Sequence, residues 1–84
     1  MAKLLVDVIT PGNGQTYDFQ LEDTLSCAQA MAKMIENITA LEGDTLPLNP
    51  ATALLCNRNL AKNLEGGQTL RAEGVKSGHT LILV

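Results

Sequence analysis

A chain of 84 residues with 45% hydrophobic and 18% charged residues has room for one small core, so one domain over residues 1–84 is expected. A net charge of −3, six scattered Lys and Arg, and only Tyr17 and Phe19 as aromatics exclude the basic surface that grips a phosphate backbone and the ring platforms that stack bases. The sequence lacks both the roughly 7–15-residue apolar stretch of a signal peptide and the ~18-residue run of a membrane span, so a cytoplasmic protein without membrane insertion is expected.

From Lys3 to Thr10 the chain is β-branched and leucine-rich. Leu4, Val6 and Val8 fall on one face and Leu5, Asp7 and Ile9 on the other, which Asp7 marks as the outer face. Pro11-Gly12-Asn13-Gly14 is a turn signal. Residues 15–21 then alternate, with Tyr17, Phe19 and Leu21 inward, which completes an antiparallel hairpin. Asp23-Thr24 offers a helix N-cap, and Leu25, Ala28, Met31, Ala32, Ile35 and Ile38 recur at three- and four-residue steps, with Met34 at the margin. They predict one amphipathic helix of about four turns packed on the hairpin. Gly43, Pro47 and Pro50 stop that helix and place a crossover loop over residues 40–50. Thr52 to Cys56 is read as a third strand with Leu54 inward and Leu55 outward, 57–59 as a turn, Leu60 to Leu64 as a short fourth strand, and His79 to Val84 as the last.

Chemistry is sparse along the chain. His79 is the sole histidine and is expected to be a solvent-exposed loop residue; Ser77 is too near it on a tight loop to form a relay. Cys27 and Cys56 read as buried free thiols, and with one histidine they make no recognisable metal site. Neither a metal nor a cofactor is expected, and no catalytic constellation is present. Gly66-Gly67 is internal, with a core segment after it, and reads as a turn. The 11–14 segment lacks the Lys and the following helix of a phosphate loop.

The predicted order is β-β-α-β-(β)-β. A lone hairpin is not stable, and the helix after it has to cross one face of a sheet to bring later strands alongside. The fold class is therefore α+β, a β-grasp: a mixed four- to five-stranded sheet on one helix, with the last strand central and parallel to the first.

In this order of elements the chain resembles ubiquitin, from Asp23-Thr24-Leu25 opening the helix to Leu54-Leu55 before a polar turn. Through Thr69-Leu70, Val75 and Thr80-Leu81 to Val84 the spacing needs no gap. Gly14-x-x-Tyr17-Asp18-Phe19, and Leu70-x-x-x-Gly74-Val75-x-x-Gly78-x-x-Leu81-x-Leu83, are similar to the bacterial YukD-like (EsaB-like) ubiquitin-fold family associated with type VII secretion. The resemblance covers nearly the whole chain, through fold-making glycines and core leucines. It implies Leu70 and Val75 as plugs of the connecting loop, and Leu81 and Leu83 as inward positions of the closing strand. Members of that family are of similar length and end without Gly-Gly, as the sequence does at Val84. The expectation is thus a non-covalent binding module.

If Leu81 and Leu83 point inward, Ile82 and Val84 point outward. With Leu55 and Leu5 beside them, and Arg58 and Lys62 as a polar rim, they form an expected protein-interaction patch of Leu5, Leu55, Arg58, Ile82 and Val84. Ubiquitin binds partners through a patch at corresponding places. The expected function is a non-catalytic, non-conjugated ubiquitin-like module, monomeric and bound to a protein partner. A component or regulator of type VII secretion is the role that the family resemblance implies. The alternatives are an accessory subunit of a multicomponent enzyme, or a modifier or sulfur carrier, which predicts a covalent adduct at Val84.

Overall fold

In the computed structural model, which describes residues 3–43, 48 and 52–84, the first alternating segment forms strand β1 (Lys3–Thr10), with Leu4, Val6 and Val8 buried and Leu5 and Asp7 exposed. Strand β2 (Gln15–Glu22) returns antiparallel and sets Leu21 opposite Leu4, Phe19 opposite Val6 and Tyr17 opposite Val8. The turn between them closes on the Thr10 carbonyl, which accepts from Asn13 N at 3.2 Å and Gly14 N at 2.9 Å. Gly14 there has φ +68°, a left-handed conformation in which a side chain costs energy.

Helix α1 (Cys27–Glu42) starts later than the Asp23-Thr24 cap expected from the sequence. Ser26 is the N-cap: its hydroxyl accepts from Gln29 N at 3.0 Å while Gln29 Oε1 accepts from Ser26 N at 3.0 Å, a reciprocal capping box. Ahead of the helix, Leu25 lies in a bend tied to later chain: its carbonyl accepts from Leu70 N at 2.9 Å, and the extended Ser26 bridges to Thr69. The buried stripe is Cys27, Ala30, Met34, Ile35 and Ile38; Ala28 and Ala32, expected in it, are exposed. Met34, expected at the margin, is fully buried. Gly43, at φ +73°, ends the helix. The crossover loop expected beyond it lies largely outside the described residues.

Strand β3 (Leu55–Asn57), the two-residue β4 (Lys62–Asn63) and β5 (Thr80–Leu83) complete a sheet of order β2-β1-β5-β3-β4. As expected, β5 is central, parallel to β1 and antiparallel to β3. Leu55 is buried and Leu54 exposed, the reverse of the sequence expectation. The reason is the pairing of Leu55 with Leu83: directly opposed residues share a face, and Leu83 is wholly inside. Leu70 and Val75 are buried between β4 and β5, joining Leu4, Val8, Leu21, Leu81 and the helix stripe in one core. This is the β-grasp fold.

Candidate functional site

The outer face of the sheet, away from α1, is set by the strand register. Ile9, Ile82 and Cys56 stand in a row across β1, β5 and β3, since Ile82 pairs with Ile9 on one side and with Cys56 on the other. All three are half-buried. In the next row Val84 and Leu54 exchange two backbone bonds, Leu54 N to Val84 O at 2.6 Å and Val84 N to Leu54 O at 2.9 Å. Leu54 is 55% exposed and Val84 43%. Five neighbouring apolar side chains therefore face outward together.

The five residues expected to form the patch separate. Ile82 and Val84 lie in it. Leu55 is in the core, with Leu54 taking its place. Leu5 is on the outer face and exposed, but it precedes Ile9 by four positions on β1, about 13 Å along a strand. It borders Ser77 and Gly78 instead: Leu5 N donates to Ser77 Oγ at 3.1 Å, and Gly78 N to Leu5 O at 2.8 Å. Arg58, exposed, donates its backbone N to Thr80 O at 2.9 Å and so stands at the patch edge. Lys62 is held by Glu73 at 3.4 Å rather than standing alone on the rim. The Glu73 carboxyl is drawn below its usual range by the backbone N–H of Glu65 at 2.9 Å, with Lys62 adding to it. Ile9 and Cys56 were not expected in the patch. The outward face of Ile9 was legible in the alternation, but its adjacency to Ile82 depends on the parallel register.

An acidic row flanks the patch. Asp7 lies directly opposite Asp18 on β2 and beside Thr80 on β5. The Asp7 carboxyl is pushed above its usual range, chiefly by its side-chain hydrogen bond with Asp18, then by burial and by the Asp18 charge. A raised carboxyl of this kind marks a place where two like charges resist ionising together.

His79 is half-buried and bonded, not the solvent-exposed loop residue expected. Its Nδ1 faces Asn57 Nδ2 at 3.0 Å and accepts from Lys76 N at 3.2 Å. Two donors aimed at one ring nitrogen require Nδ1 to be the acceptor, so the ring proton sits on Nε2. Asn57, buried on β3, also accepts from Leu60 N through Oδ1 at 3.1 Å. The pair thus locks the turn after β3 to the turn before β5, a structural task.

Cys27 is buried as expected, and burial, followed by the Glu73 charge, pushes its thiol up to about 11. Cys56 faces outward, half-buried, and its Sγ donates to Asn63 Oδ1 at 2.9 Å. The Gly66-Gly67 turn packs on the start of α1: Ala28 N donates to Gly66 O at 3.1 Å and Cys27 N to Gln68 O at 2.8 Å. Among the described residues no group of three His, Cys, Asp or Glu is placed to hold a metal, and no helix is long and apolar enough to cross a membrane.

No family model matches the sequence, and no curated protein matches it. Solved structures do. The ubiquitin-like domain of Plasmodium falciparum Dsk2 superposes with a TM-score of 0.77 at 17% identity, over 99% of this chain and 97% of that one. A ubiquitin-like domain from an Arabidopsis thaliana protein gives 0.76 at 13% identity, over 100% and 78% of the two chains. Caldiarchaeum subterraneum ubiquitin gives 0.71 at 18% identity, over 98% and 91%. These likenesses define the fold as ubiquitin-like.

Proposed function

We propose that this chain is a non-covalent protein-binding module that engages its partner through the outer face of β1, β5 and β3. The observation that carries the reading is the contiguity of Ile9, Ile82 and Cys56 with Val84 and Leu54. An apolar group with Arg58 at its edge matches the anatomy of an interface, an apolar centre with a polar rim. The partner proposed is a component of a type VII secretion apparatus in the cytoplasm, on the strength of the glycine and leucine pattern shared with the YukD-like family. A binding role without catalysis fits His79 and Asn57, whose polar atoms serve the fold. It also fits Gly66-Gly67: severing the chain behind this turn removes β5 and splits the sheet.

The test is affinity capture from a lysate that contains the secretion apparatus, with wild type, Ile82→Asp and Leu54→Asp compared on a denaturing gel. Secretion components should separate as free bands and fall at least about tenfold with either variant. Circular dichroism verifies that both variants are folded. Equal capture by the folded variants refutes the patch. A denaturant-resistant adduct makes the chain a modifier, and stoichiometric recovery of an enzyme makes it an accessory subunit.

A further inference from the structure

We propose that β2 is a second docking edge, onto which an extended segment of a partner protein, apolar at alternate residues and basic between them, adds as a further strand. Three features of β2 lead there, and none involves the apolar row of Ile9, Ile82 and Cys56.

The first is its backbone. β2 is an outermost strand of the sheet, paired only with β1 among the described residues. In an antiparallel pair every second residue turns its N–H and C=O away from its partner, so this edge presents a row of donors and acceptors. A strand that joins there satisfies them and gains affinity from main-chain bonds alone.

The second is the groove on the helix side of that edge. A cavity of about 520 Å³ lies between β2 and α1, lined by Tyr17, Phe19, Ile38 and Leu41 together with Lys33 and Asn37. Leu41 is 71% exposed, the most exposed large apolar residue among the described residues. Tyr17 is braced by Asn13 Nδ2, which donates to its hydroxyl at 3.1 Å, so one wall is already in place. Side chains of an added strand alternate between faces. Those on the inner face enter this groove, which calls for apolar residues at every second position.

The third is charge on the opposite face. There the added strand runs beside Asp18, with Asp7 directly behind it on β1. Glu22 is matched by Lys3 opposite, whereas Asp18 faces another carboxylate. A second cavity, lined by Leu5, Asp7, Asp18 and Phe19 among others, adjoins the pair. A Lys or Arg on the incoming strand lays its aliphatic stem across β2 and directs its charge toward the two aspartates. The same acidity disfavours a second copy of the chain as occupant, because β2 against β2 brings two such pairs together.

The experiment titrates the isotope-labelled chain with an acetylated, amidated Val-Lys-Val-Lys-Val-Lys-Val peptide and follows the backbone amide spectrum. Saturable shifts are expected in residues 16–22 and 33–41, with slowed hydrogen exchange along β2. The same peptide with Glu in place of Lys should bind at least tenfold more weakly, and Asp18→Lys should invert that preference. N-methylation of alternate peptide amides should weaken binding by at least tenfold. The proposal is overturned if there is no saturable shift, if the shifts centre on Ile9, Ile82 and Cys56 instead of β2, or if N-methylation has no effect. It is also overturned if the chain alone self-associates through β2.

Discussion

The alanine substitutions of Leu54 and Leu55 decide which of two adjacent leucines belongs to the surface. Leu55 is 2% exposed and packs with Leu83, itself fully buried, across the β3–β5 pair. Removing most of its side chain costs the lost transfer energy and leaves a cavity, about 3 kcal/mol within the ~2–5 kcal/mol observed for such changes. A chain of 84 residues has a total stability of about 4–13 kcal/mol, so Leu55→Ala removes a large share of it. Leu54 is 55% exposed, and its truncation should cost under about 1 kcal/mol. With a urea dependence of about 1 kcal/mol per molar, the midpoint of Leu55→Ala should fall by about 3 M and that of Leu54→Ala by less than about 1 M. The chain has no Trp, so unfolding is best followed by far-ultraviolet circular dichroism. If Leu54→Ala proves the costlier change, β3 is out of register by one residue, and the row from Ile9 through Ile82 to Cys56 dissolves.

Asn57→Leu keeps the volume but leaves Leu60 N–H without its acceptor and removes the Asn57 donor from His79 Nδ1, for a loss of about 1–3 kcal/mol. At ~4–8 °C per kcal/mol for a domain of this size, the melting temperature should drop by roughly 5–20 °C; an unchanged melt would make the Asn57–His79 link dispensable. Asp18→Asn tests the carboxyl pair. Asp7 has a raised folded-state pKa, so its contribution to stability is full at acid pH and is lost as pH rises from 3.8 through the raised value. The variant should therefore gain stability relative to wild type at neutral pH and lose that advantage in acid. Carboxyl NMR should show Asp7 titrating lower, and an unmoved Asp7 would show that the two groups do not share a proton.

Where a structural decision depended on local pattern, the sequence displayed it. The hairpin followed from the alternation around Val6 and Phe19 and the turn at Asn13-Gly14, and Leu70, Val75, Leu81 and Leu83 all occupy their expected core positions. Where the decision depended on distant chain, it was hidden. Two adjacent leucines carry no alternation, so the facing of Leu54 and Leu55 waits on hydrogen bonds from β5. Ile9 joins the patch only through the same strand. The helix start differs: Ser26-Cys27-Ala28-Gln29 is a capping box in plain view, overshadowed by the acidic Asp23-Thr24. His79 was misplaced because its partner, Asn57, lies on another strand.

The central position of β5 also constrains the order of folding. β1 and β2 can pair, and α1 can cover them, as soon as those residues exist, but β1 then has one bare edge. That edge is closed by a strand whose approach is pinned by a bond between Leu5 and Ser77, 72 positions away in the chain. Synthesis at ~5–20 residues per second takes several seconds to cover such an interval. Throughout it, the nascent hairpin and helix present an unsatisfied apolar strand edge, the kind of surface that recruits stray β-segments. The loop closure is slow because the chain loses entropy before the distant contacts form. The protein is thus most exposed to misassembly while still being made, and its last-formed strand is the one that ends that exposure.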